Sequence, residues 1–189
     1  MSFEIGKLLK VPRGTPGIPP LELELSEIIA IEKRKPEVAY VNKETAPELM
    51  YIFNSAYCEI TRMMANISYE YNQSVKFANK RKAVVTLDVA PEVLKEKGYQ
   101  KTSEDLRKAV LDQDEEYLTL LDKVYALEAA YEFLKGKAKG FEQDYQSVKK
   151  IYDITNASLG NANVLNGGIN SKLKAGDSEP HSLIGEPKF

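Results

Sequence analysis

Apolar residues recur along much of this chain at alternating steps of four and three, and that rhythm predicts most of its architecture. From Leu49 it runs through Phe53, Ala56, Ile60, Met63 and Ile67, and after one extra step of four it continues through Tyr71, Val75 and Ala78. Such spacing puts every member on one face, so a long amphipathic helix is predicted to about Val85. Thr45-Ala46-Pro47-Glu48 reads as its capping box, a hydroxyl for the open amides and a carboxylate three residues on. "TLDVAPEVLKEKGYQK" is expected to break the helix, with Pro91 and Gly98 as punctuation.

A second stripe holds the alternation strictly: Leu106, Val110, Gln113, Tyr117, Leu120, Val124, Leu127, Tyr131, Leu134, Ala138, Phe141, Tyr145, Val148 and Tyr152. Gln113 is its one polar member. A period of 3.5 held that long predicts a coiled-coil-like seam about 75 Å in length, at about 1.5 Å per residue. Its helix should open at Thr102 or Ser103 and run to about Asp153. Gly136 and Gly140 are its weak points, each costing about 1 kcal/mol relative to alanine.

Two long helices joined by a short connection form an antiparallel hairpin by default. The predicted fold class is therefore all-α, a long-helix hairpin at about residues 46–85 and 103–153 with extended terminal arms. In the first arm, residues 1–20, "KVPRGTPGIPP" places four prolines within nine residues and favours a polyproline-like path. "LELELSEIIAIEKRK" begins with strand-like alternation, but Leu21, Leu25, Ile28 and Ile29 also share a helical face. Pro20 suits a first turn and Glu, Leu, Lys and Ala dominate, so a short helix is predicted. The helical domain then spans residues 21–155. From Asn156 to residue 189 Asn, Gly and Ser dominate and no helical stripe survives, which predicts a flexible arm.

Composition narrows the chemistry. Hydrophobic residues make up 43% of the 189 and charged residues 29%, with a net charge of −2, so any nucleic-acid-binding surface must be local. Cys58 is the only cysteine and His181 the only histidine, which excludes an intramolecular disulfide, a multi-thiolate metal site and a Ser-His or Cys-His pair. "DQDEEY", Asp112–Tyr117, lacks the glycine and ligand spacing of a calcium loop. Gly136-Lys-Ala-Lys-Gly140 follows no strand, as a phosphate loop would. No cofactor, metal or catalytic role is expected. No apolar run approaches a membrane span and Met1–Lys10 lacks a signal-peptide core, so the expected location is the cytoplasm, without membrane association.

One stretch stands out. "SVKFANKRKAV" places Lys76, Lys80, Arg81 and Lys82 at the end of the first helix with no acidic residue among them. Two readings are open. Folding the hairpin brings this end beside Asp105–Glu116, where it can serve as a solvated counter-charge, each partner also suiting its own helix dipole. Alternatively Arg62, Asn66, Tyr69, Gln73, Lys76 and Lys80 form one outward face, spaced by four and three. Rings that stack on bases among cations that meet phosphates suit single-stranded nucleic acid. A second group, Lys135, Lys137, Lys139, Lys149 and Lys150, surrounds Phe141 and Tyr145, two rings that belong to the seam.

The run "KTSEDLRKAVLDQDEEYLTLLDKVYALEAAYEFLKGKAKGF" resembles the UvsY-type recombination mediators of bacteriophages. The shared pattern is a Lys-x-Ser-Glu start, an acidic turn and an amphipathic helix, then a basic residue beside Gly-Phe, with an upstream helix ending in a basic cluster. The likeness covers about Cys58 to Asp153. It implies a homo-oligomer in the host cytoplasm that loads a recombinase onto single-stranded DNA held by a single-strand-binding protein. It places the DNA contacts at Lys80, Arg81 and Lys82. The terminal arms have no counterpart in that pattern and suit a competing class, a virion structural or scaffold component whose arms clasp neighbouring subunits. Either class requires self-association, because a seam this long leaves more apolar surface than its own helices cover.

Overall fold

The computed structural model describes residues 6–174, with side chains to residue 158. Its frame is a pair of long antiparallel helices, α2 (Ala46–Val84) and α5 (Glu115–Lys174). Between them lie a π-turn (Val85–Val89) and the short helices α3 (Ala90–Glu96) and α4 (Glu104–Leu111). Ahead of them come strands β1 (Leu8–Val11) and β2 (Leu21–Glu24), helix α1 (Ser26–Glu32) and a 3-10 turn (Lys35–Tyr40). Phe53 meets Phe141 at 6.1 Å between ring centroids, while Arg81 meets Asp114. Partners that fall on one helix as they rise on the other make the pair antiparallel.

The two predicted stripes supply most of the core, but past Ile67 burial on α2 passes to Glu70, Ser74 and Ala78, while the predicted Tyr71 and Val75 are half-buried. Leu49, Phe53, Ile60 and Ile67 from α2 and Leu127, Leu134, Phe141 and Val148 from α5 are all at most 1% exposed. Removing such side chains from water stabilises by about 1.5–3 kcal/mol each. Ala130 and Ala138 keep the helices close at positions where a larger residue would hold them apart.

Several expectations need correction. First, the fold is not purely helical. β1 and β2 pair antiparallel with Leu9 opposite Leu23 and Val11 opposite Leu21, and the prolines occupy the loop between them rather than an extended arm. Leu9, Val11 and Leu23 turn inward onto the helical pair, while Lys10 and Glu22 form an outward ion pair at 2.8 Å. The helix expected from Leu21 begins only at Ser26, because the alternating "LELE" has a strand to pair with.

Second, Pro91 does not stop the helix. The Ala90 N–H reaches the Val85 carbonyl, one residue further back than in an α-helix, and this wider turn admits the proline, which lacks an N–H. Burial of Val85, Ala90 and Leu94 holds the continued segment in place. It ends at Gly98, whose φ of 85° is the left-handed conformation that glycine adopts without strain. There Tyr99 N–H bonds the Leu94 carbonyl and Gly98 N–H the Lys95 carbonyl, a Schellman closure.

Third, the second helix is two. Ser103 caps α4 by accepting from Leu106 N–H, but the chain breaks at Asp112–Asp114, and Asp114 caps α5 by accepting from Tyr117 N–H at 2.8 Å. The exposed Gln113 lies in this break, so the one polar member of the stripe marks its interruption. The box at Thr45 does not form either. Asn42 instead accepts from the Glu44 and Thr45 amides, and Glu48 goes to Arg34 at 2.7 Å.

Fourth, α5 extends past Asn156 to Lys174, where a flexible arm was expected. The rest of that arm, residues 175–189, lies outside the described residues.

Candidate nucleic-acid interface at the hairpin tip

α2 carries all five predicted contact residues, and its geometry separates them. Successive residues turn by about 100° around a helix. Tyr69, Lys76 and Lys80 therefore share one outer face, and all three are exposed, Tyr69 by 63%. Lys82 is also exposed, but about 200° around the axis from Lys80. Lys76, Lys80 and Lys82 make no hydrogen bond or ion pair among the described residues. Arg62, on the same face as Tyr69, is held by two hydrogen bonds from its guanidinium to Glu59.

Arg81 points the other way. Its Nε and Nη2 donate to the two Asp114 carboxylate oxygens at 3.0 and 2.7 Å, and Nη1 meets Glu116 at 2.9 Å. The guanidinium holds the Asp114 carboxyl below its ordinary range, helped by the Tyr117 amide and opposed by partial burial. For this residue the counter-charge arrangement between basic helix end and acidic turn is realised. Arg81 belongs to the tip's internal structure, and only the three lysines and Tyr69 face solvent from the predicted set.

The second basic group dissolves in the same way. Lys135 pairs with Glu132, and Lys137 reaches Glu32 at 2.7 Å while lying over the Phe133 ring. Phe141 is fully buried beneath Lys35, whose Nζ sits 4.5 Å from the ring centroid and 3.1 Å from Asp144. Lys139, Lys149 and Lys150 remain exposed.

One polar site escaped the sequence analysis. Glu70 is 5% exposed, on the apolar side of α2, and it holds the loop between β1 and β2. One of its oxygens accepts from Arg13 Nη1 at 2.6 Å and the other from the Gly14 amide at 2.8 Å. Gly14 lies against the helix backbone itself. A Cβ there would sit 2.8 Å from the Ser74 amide nitrogen and 2.6 Å from Gln73 Cβ, so no side chain fits. A carboxylate interrupting an apolar stripe, together with an Arg-Gly pair upstream, was the available signal. This clasp lies one turn from Gln73 and borders the Tyr69–Lys80 face.

Among the described residues no cluster of His, Cys, Asp or Glu could hold a metal ion, and no helix is long and apolar enough to cross a membrane. Comparison with protein-family models, with curated proteins and with solved structures finds no match to this chain.

Proposed function

We propose that this protein binds single-stranded DNA along the outer face of α2 and assists the loading of a recombinase there, working as a homo-oligomer. One observation carries the proposal: Tyr69, Lys76 and Lys80 stand in a row about 16 Å long, at about 1.5 Å per residue, with an exposed ring and two lysines that no carboxylate engages among the described residues. Rows of this kind bind single strands by stacking and by phosphate contact without reading sequence. Lys82 meets phosphates only if the strand wraps the tip. The recombination role, and contact with a recombinase or a single-strand-binding protein, rest on the resemblance to UvsY-type mediators.

Fluorescence anisotropy with a labelled oligonucleotide at several salt concentrations tests this. Affinity should fall with a log–log slope of about −0.7 for each phosphate contact. Lys76→Ala with Lys80→Ala should weaken binding for all sequences alike and flatten the slope by about 1.4. If the intact protein shows no binding at low salt, the row is a solvated helix face. The second reading, a virion structural or scaffold component that assembles through its helical seam and terminal arms, then stands.

A further inference from the structure

Arginines in this protein come with carboxylates: Arg13, Arg34, Arg62 and Arg81 each meet at least one. Arg107 of α4 is the exception among the described residues. Its Nη2 donates to the Thr102 hydroxyl at 3.0 Å, and its Nε is enclosed without a partner. Glu104 and Asp105 stand close by in the first turn of α4, yet neither forms an ion pair with it. A partly buried cation held by one neutral hydroxyl keeps a desolvation cost that an anion would offset.

Thr102 is also a wall of an open cleft at the hairpin tip. The cleft has a volume of about 500 Å³ along α3 and the turn that follows it, lined by Pro91, Lys95, Gly98, Tyr99, Gln100 and Thr102. That volume falls in the range of sites that take a small organic ligand. None of the lining residues is acidic. Glu92 and Glu96 lie about 80° and 120° round α3 from the middle of its Pro91–Lys95 face, at about 100° per residue. Lys95 is exposed and makes no ion pair among the described residues. The Tyr99 ring is 48% exposed, and the Schellman closure at Gly98 fixes the backbone beneath it.

We infer that this cleft binds a nucleotide, with its phosphate at Lys95 and the Arg107–Thr102 pair and its base against Tyr99. Ammonium, guanidinium and hydroxyl groups are the ordinary partners of phosphate oxygens. Arg107 Nη1, which has no partner among the described residues, is the donor left for them. The ring is what makes the occupant a nucleotide rather than a simple anion, because any base stacks on it. Gln100 adds an amide that both donates and accepts at a base edge. The cleft shares no residue with the Tyr69–Lys80 row, so either can fail without the other. A free nucleotide and the terminal nucleotide of a strand offer the cleft the same chemistry.

Titration calorimetry of the full chain with adenosine monophosphate, adenosine and inorganic phosphate tests it. The monophosphate should bind about tenfold or more tighter than either half alone, because one ligand then engages both the ring and the cations. Lys95→Ala with Tyr99→Ala should weaken that binding about tenfold or more. Helicity by circular dichroism should persist, since both side chains are exposed and make no bond among the described residues. Tyr99→Ala alone should spare inorganic phosphate, whereas Arg107→Gln should weaken phosphate and monophosphate together. Should Arg107→Gln misfold, the Lys95 and Tyr99 variants read the same cleft. An oligonucleotide with a terminal phosphate that binds more tightly than the same strand without it, the gain vanishing in the double variant, makes the strand end the source. Equal binding of the two strands makes it the free nucleotide. A monophosphate that does not bind, binds no tighter than inorganic phosphate or adenosine, or binds the double variant equally well overturns the inference.

Discussion

Glu70 and Asp114 make the same set of bonds in two parts of the molecule. Each carboxylate takes an arginine and one backbone amide: Arg13 and Gly14 at the junction of loop and helix, Arg81 and Tyr117 at the hairpin tip. Their settings differ. The Glu70 side chain is 7% exposed and its bonds span more than fifty residues of sequence, whereas Asp114 is 14% exposed and half of its work is local capping. Charge-assisted bonds to a buried carboxylate are costly to break, since the partners are left without water to replace it. The arginines do not share this difference, Arg13 being 34% and Arg81 28% exposed, so the contrast rests on the two carboxylates. Glu70 therefore fastens the loop between β1 and β2 to α2, and Asp114 caps the start of α5.

The comparison can be broken most severely through the seam that supports both ends. Leu127→Asp places a charge at a position with no exposure, at a cost of several kcal/mol, and should abolish cooperative thermal unfolding along with both clasps. Leu120→Asp and Val124→Asp, nearer the tip and 6% and 8% exposed, should destabilise less. A full helical signal in circular dichroism for all three would refute the seam.

Removing one clasp at a time sharpens the contrast. Glu70→Ala should cost about 2–3 kcal/mol, as expected for hydrogen bonds lost between a buried carboxylate and its partners. Proteolysis should then cut the loop between β1 and β2 first. Asp114→Ala loses a helix cap and an exposed-side ion pair, about 1–2 kcal/mol together, and hydrogen exchange should quicken at Tyr117 while the loop stays protected. Equal proteolytic sensitivity of the loop in both variants would show that the two sites are not independent.

Acid separates the native charge from the cap. The Asp114 carboxyl titrates below its ordinary value near 3.8 in the folded chain, chiefly through the Arg81 guanidinium, so its contribution is present above that value and is lost as pH falls through the folded one. Asp114→Asn should flatten the decline in stability below about pH 4, because a neutral cap has no such proton to bind. The smallest effect belongs to the free lysines. Lys76→Ala and Lys80→Ala should change the melting temperature by under about 2 °C, since neither makes a bond to lose among the described residues. Arg81→Ala should lower it more, though all three residues stand within six positions on one helix.

That last difference shows how far local pattern reaches. A 3.5-residue apolar period depends only on which residues share a helix face, so the two stripes, their antiparallel pairing and the cap at Ser103 were readable along the chain. The opposition of a basic helix end and an acidic turn was readable too, as charge signs at matching positions. Which arginine would turn inward was not, because Arg81 and its lysine neighbours differ only by about 100° of rotation against a helix whose start had not been located. The strand pair, the passage of the helix beyond Pro91 and the Glu70 clasp share one cause. Each joins segments distant in sequence or sets a local preference against burial. "LLKV" becomes a strand only because "LELE" lies beside it over a helical surface, and a glutamate enters an apolar stripe only because Arg13 and Gly14 reach it there. The sequence determined the two long apolar faces; tertiary structure decided where the helices begin and end and which flank of α2 was covered, since both depend on free energies of burial that no single segment carries alone.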